Sequence, residues 1–191
     1  MLVLALVLVP APVAAEWQLR PFLGFAFGGD TTFIDFDRAA GKTHVVLGAS
    51  GGWLGELLGF EGDLGFAPGF FEAGDVPLVL RSGVTTLTGN VVVALPRRLA
   101  QYSLRPYLVG GGGVMWVEIE QRFEGVLRVA RTLPVVDVGG GVTGFLTDDI
   151  GLNWDFRYFR SAGGGGDASG VSFGAERLSF WRLSMAVAIR Y

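Results

Sequence analysis

The last thirteen residues of the chain, SFWRLSMAVAIRY, set the tightest limit on what it can fold into. From Trp181 onward every second residue is large and apolar: Trp181, Leu183, Met185, Val187, Ile189 and Tyr191. The residues between them, Arg182, Ser184, Ala186, Ala188 and Arg190, are small or charged. Side chains alternate across a strand with a period of two, so 179–191 predicts a strand with one greasy face and one small or polar face. A tilted strand crosses a bilayer in roughly 9–11 residues, and this one is long enough.

Composition narrows the choice. Half of the residues are hydrophobic, yet no apolar run reaches the roughly 18 residues of a transmembrane helix. Membrane strands dilute their apolar residues with alternating polar ones, which reconciles the two facts. Glycine makes up 31 of 191 residues, more than double the usual share of roughly 7%. Such a content argues for bulges, tight bends and close backbones. With no cysteine, disulfides and thiolate metal sites are excluded. A net charge of −3 gives no electrostatic reason for a nucleic-acid partner.

The stretch 59–70 carries the decisive polarity. Phe60, Leu64 and Phe66 share one face, and Glu61, Asp63, Gly65 and Ala67 share the other. A soluble barrel is apolar inside and polar outside; carboxylates placed opposite large aromatics invert that order, as a membrane barrel requires. The same alternation predicts strands over 17–28, 44–54, 84–95, 134–146 and 150–160. It places Arg20, Asn90, Asp137, Asn153, Asp155 and Arg157 on the inward faces, with Arg182 on the last strand. A further strand over 104–117 has no readable faces, because Gly110 to Gly113 erase its alternation and suggest a bulge. Those glycines fit no phosphate loop, since neither a Gly-Lys-Ser/Thr run nor a helical pattern follows.

Eight strands result, with long connections at 29–43, 71–83, 118–133 and 161–178 alternating with three short ones. The expected fold is all-β, an eight-stranded antiparallel up-and-down transmembrane β-barrel. Aromatics collect at the strand ends, Trp17, Trp53 and Tyr191 at one and Trp116, Tyr158 and Trp181 at the other, as interfacial girdles do.

Residues 1–15 read as a signal peptide, with an apolar run at 2–9 and Val13 and Ala15 at a small-residue cleavage site, although no basic n-region precedes them. The barrel domain then spans 16–191. On the signal segment, the alternating strands and the terminal aromatic, the chain resembles the small eight-stranded bacterial outer-membrane β-barrel family related to the transmembrane part of outer-membrane protein A. The periplasmic domain of that larger protein has no counterpart here, so no cell-wall tether is implied. The resemblance implies an outer-membrane location with both mature ends in the periplasm and four extracellular loops. It implies lipid and lipopolysaccharide as surroundings. It also implies that Trp181, Leu183, Met185, Val187, Ile189 and Tyr191 form the signal read by the outer-membrane assembly machinery. A monomer without cofactor is expected.

Function is less constrained. The inward set Arg20, Glu61, Asp63, Asn90, Asp137, Asn153, Asp155, Arg157 and Arg182 reads as a structural network, because eight strands leave a lumen just wide enough for side chains and buried charges need partners. Asp137 and Arg157 are expected to pair, with Arg182 near. The leading reading is a non-enzymatic barrel with a structural or surface-interaction role through its loops. A narrow, porin-like channel for small or hydrophobic molecules is one alternative. A lipid A-modifying enzyme is another, in which His44, the sole histidine, would act with a serine. Ser50 lies roughly 20 Å along the same strand, so Ser161, Ser169 or Ser172 would have to serve, and a solvated rim histidine is the simpler expectation. Asp30, Asp35 and Asp37 could hold calcium but lack EF-hand spacing, and Arg97-Arg98 reads as a solvated turn.

Overall fold

Each alternating stretch becomes a strand in the computed structural model, and all eight close into one antiparallel barrel in sequence order. The strands are β1 (Glu16–Thr31), β2 (His44–Leu54), β3 (Leu58–Pro68), β4 (Val79–Ala94), β5 (Leu104–Gln121), β6 (Arg128–Phe145), β7 (Ile150–Ser161) and β8 (Leu178–Arg190). The structure describes residues 16–31, 43–70, 79–96, 104–121, 128–162 and 178–191. The expected signal segment, Asp35, Asp37, Arg97, Arg98, Ser169 and Ser172 lie outside them.

Closure comes from β1 and β8, whose register pairs Leu23 with Met185 and Phe25 with Leu183. Every large apolar residue of the terminal strand named above faces outward, and its alternate neighbours from Arg182 to Ala188 are buried, with Arg190 half-buried. The same alternation holds along β3 and β7. Both ends of the barrel are ringed by aromatics. Trp17 pairs with Trp53, whose ring stacks on Phe60 at 6.5 Å. At the opposite end Tyr158 pairs with Trp181, and Trp181 stacks on Phe156 at 4.8 Å.

Two expectations about strand form are corrected. No bulge interrupts Gly110–Gly113: β5 keeps unbroken register with β4 and β6 through all four glycines. The register shifts instead between Phe27 and Asp30 on β1, where Gly28 takes φ 61°, a left-handed conformation that suits glycine. The second correction is length. β4 begins at Val79, β5 runs on to Gln121 and β6 starts at Arg128. Pairing of β5 with β6 continues to Glu120 and Arg128, while β6 last pairs with β7 at Val135 and β4 last pairs with β3 at Gly83. The β4–β5–β6 ribbon therefore projects past its neighbours at the end of the barrel opposite both termini. Above the apolar belt both faces of a strand can be polar, so the ladder continues after the alternation stops.

Inside, an apolar cluster fills the end opposite the termini, with Phe70, Val84, Met115, Val117, Leu133, Phe159, Leu178 and Phe180 among its members. A smaller cluster of Val92, Ala94, Tyr107 and Val109, against which Leu54 packs, lies towards the terminal end. Arg20, Glu61, Asp63, Asp137, Asp155, Arg157 and Arg182 are held between the two.

Candidate functional site

The inward positions of β1, β3, β6, β7 and β8 carry the charges of the central network, and the pleat aims them all at the barrel axis. Arg157 on β7 is the hub. Its Nε and Nη2 donate to the two oxygens of Asp155 at 2.6 and 3.0 Å, and its Nη1 lies 2.6 Å from Glu61 Oε1 on β3. The same Nη1 is 3.7 Å from Asp137 and 3.9 Å from Asp63. Glu61 is also paired with Arg20 and accepts from Asn90 Nδ2 at 3.3 Å. Arg182 on β8 grips Asp63 through both terminal nitrogens, each bond 2.8 Å. Its guanidinium is sandwiched between the rings of Phe22 and Phe159, at 4.5 and 4.8 Å, where the ring faces favour a cation.

All nine inward candidates are thus buried in one region, and the expected Asp137–Arg157 pair exists only as a 3.7 Å contact. The nearest partners of Arg157 are Glu61 and Asp155 instead. Two members escaped sequence reasoning. Tyr107 on β5 donates its hydroxyl to Asp155 Oδ2 at 2.6 Å and receives Asn153 Nδ2 at 3.0 Å. Arg105 donates to the carbonyls of Leu95, Gly55 and Glu56, tying two turns together at the terminal end of the lumen. Both sit on the strand whose faces the glycines hid. A signal did exist. Glycine stands wherever a long inward side chain needs room: a Cβ on Gly139 would lie 2.8 Å from Arg157 Cγ, and one on Gly141 would lie 2.6 Å from the Tyr107 hydroxyl.

Such an arrangement fills the middle of the lumen with paired side chains. The cavity lined by Gln18, Arg20, Arg105, Tyr107 and Thr143 has a volume of about 10 Å³, room for about one water. Apolar side chains close the other end. His44 is not a solvated rim residue: it is buried, and its ring stacks on Phe70 at 4.8 Å. The ring of Phe70 also meets Phe180, so the histidine belongs to the edge of the apolar cluster. Ser161 Oγ is buried and accepts the backbone N–H of Leu178, closing the end of β7 onto β8. The histidine is thus accounted for by packing and this serine by a backbone bond.

Several solved structures share this shape. Neisserial surface protein A superposes with a TM-score of 0.66 at 14% identity, covering 93% of this chain and 99% of that one. The N-terminal β-barrel domain of OprF from Pseudomonas aeruginosa gives 0.51 at 13% identity, with 92% and 97% covered. Ail, the attachment invasion locus protein of Yersinia pestis, solved with the heparin analogue sucrose octasulfate, gives 0.51 at 11% identity, with 92% and 98% covered. These identities establish a shared fold alone. No curated protein sequence matches the chain. The sequence pattern of the outer membrane protein beta-barrel domain matches residues 1–177. With its closed eight-stranded barrel and apolar outer belt, the chain belongs to the outer membrane protein beta-barrel domain family.

Proposed function

We propose that this protein is a non-enzymatic outer-membrane barrel that acts at the cell surface, through the loops and the β4–β5–β6 ribbon opposite its termini. One observation carries the reading: the lumen is filled by a charged network and sealed by apolar side chains, so chemistry is left to the outside. Both mature ends then face the periplasm, and the ribbon projects outward beyond the lipopolysaccharide-facing rim. The barrel stands as a monomer in lipid, inserted by assembly machinery that engages β8 and Tyr191.

Neisserial surface protein A and Ail lend support by shape, and Ail by its bound heparin analogue, which makes sulfated glycans the first ligands to test here. Cells displaying the full-length chain should retain immobilised heparin. Cells displaying a variant with the ribbon cut back to the rim should lose most of that retention while keeping a heat-modifiable barrel. Equal retention by both would remove the ribbon from the proposal. Planar bilayers containing the purified barrel should show no ion conductance; steady conductance would restore the channel reading. Lipid A composition should not change in cells carrying His44→Ala.

A further inference from the structure

The seam that closes the barrel carries a gap inside the apolar belt. Pairing of β1 with β8 runs through Gln18–Arg190 and Leu19–Ile189 and resumes at Phe22–Ala186, passing over Arg20 and Pro21. The cause is in the sequence. At the start of the seam the Tyr191 N–H donates to the Trp17 carbonyl. Backbone groups of successive residues point to opposite sides of a strand, so the odd-numbered residues of β1 aim theirs at β8. Pro21 is one of them, and proline has no N–H to give. In this register Pro21 stands opposite Val187, whose carbonyl is left without its ladder donor. Both residues face outward and are exposed, where hydrocarbon offers a lone carbonyl no substitute donor. Among the described residues, the other seven strand pairs keep unbroken register through the belt.

A second proline shows what repair looks like. Arg105-Pro106 on β5 repeats the Arg20-Pro21 dipeptide of β1. The Leu95 N–H donates to the Pro106 carbonyl, but Pro106 cannot donate in return, so the Leu95 carbonyl loses its ladder donor in the same way. There the preceding arginine fills in: Arg105 Nε donates to the Leu95 carbonyl at 3.1 Å. At the seam the preceding arginine is turned away. The Arg20 guanidinium is paired with Glu61 on β3, and its Nε makes no hydrogen bond. The bond lost at Pro21 is therefore not replaced, and the buried Arg20 and Ala188 lie directly behind the gap.

We infer that the β1–β8 seam is the line along which this barrel opens laterally, and that opening begins at Pro21 and Val187. Parting the strands there breaks one ladder bond fewer than parting any other pair over the same length of belt. The opening is local and reversible, because the ladder from Phe22–Ala186 to Phe27–Trp181 stays shut. It brings Arg20 within reach of water from the nearby terminal rim before the rest of the network is disturbed.

Amide hydrogen exchange of the wild-type barrel in micelles, followed by NMR, tests this, since exchange reports local opening. The amides of Leu23 and Val187 flank the gap and bridge the seam. They should exchange about tenfold faster than amides bridging β3 and β4 at the same depth, the equivalent of one missing hydrogen bond. They should also exchange ahead of Phe25 and Leu183, farther along the seam. Pro21→Ala supplies the missing N–H at an outward position. It should slow Leu23 and Val187 by about tenfold and leave the β3–β4 amides unchanged. Seam amides exchanging no faster than those of β3–β4 overturn the inference, whether or not the variant folds. A seam that is uniformly fast, with no lead at Leu23 and Val187, overturns it too, as does a folded Pro21→Ala barrel whose seam stays fast.

Discussion

Arg182 and Asp63, 119 positions apart and on strands that are not neighbours in the sheet, clasp each other across the lumen through two parallel 2.8 Å bonds. The bidentate fork is the strongest geometry available to an arginine and a carboxylate. Removing one partner leaves the other charged and buried. Arg182→Ala should therefore lower unfolding free energy by about 3–5 kcal/mol, read from urea denaturation in micelles. Exchanging both partners for apolar residues, Arg182→Met with Asp63→Leu, should recover most of that loss.

Tyr107 joins the network through its hydroxyl, bonded to Asp155 and Asn153, while its ring lies 5.7 Å beneath the Arg20 guanidinium. Tyr107→Phe keeps the ring in its cluster with Val92 and Val109 but strips Asp155 of a donor. A loss of about 1–3 kcal/mol is expected, measured as a lower urea midpoint with an unchanged slope.

Two glycines of the same sheet should respond in opposite ways. A Cβ on Gly139 would meet Arg157 Cα at 2.8 Å, and backbone cannot yield, so Gly139→Ala should cost about 1–3 kcal/mol. Gly89 has nothing within 4 Å of such a Cβ. Gly89→Ala should be neutral or stabilising by about 0.5 kcal/mol, since it restricts the unfolded chain. Thermal unfolding of the two variants side by side checks the contrast.

On the outer face depth decides. Met185 lies midway along β8, and Ile189 lies near the ring of Trp17 and Tyr191. Met185→Arg should destabilise the barrel in liposomes by about 2–4 kcal/mol and Ile189→Arg by about 1 kcal/mol or less.

These contrasts mark what the residues reveal unaided. The outward faces of β3, β7 and β8 are legible because lipid tolerates only apolar side chains, which enforces strict alternation. The inward face is freer. It accepts glycine, arginine or tyrosine wherever a partner on the far wall makes room, and such partners lie far apart in sequence. Asp137 and Arg157 could be matched because they sit on adjacent strands. The Asp63–Arg182 clasp could not, because it joins strands that never pair. Tyr107 and Arg105 were hidden by Gly110–Gly113, which leave both faces of β5 bare at mid-strand. The projecting ribbon was hidden for another reason: past the belt no solvent imposes a face, so the alternation ends while hydrogen bonding does not.

The central network joins side chains from β1, β3, β6, β7 and β8, so its bonds cannot accumulate strand by strand. While the sheet is still open between β1 and β8, Asp63 has no Arg182 before it, and water must solvate both. Shutting the seam is then one act with drying the bore. Water gives way around Asp63 and Arg182 as the charges find one another, and a half-closed barrel has neither its full hydration nor its ion pairs. Such a protein is either an unsealed wet sheet or a locked cylinder, with nothing stable between them.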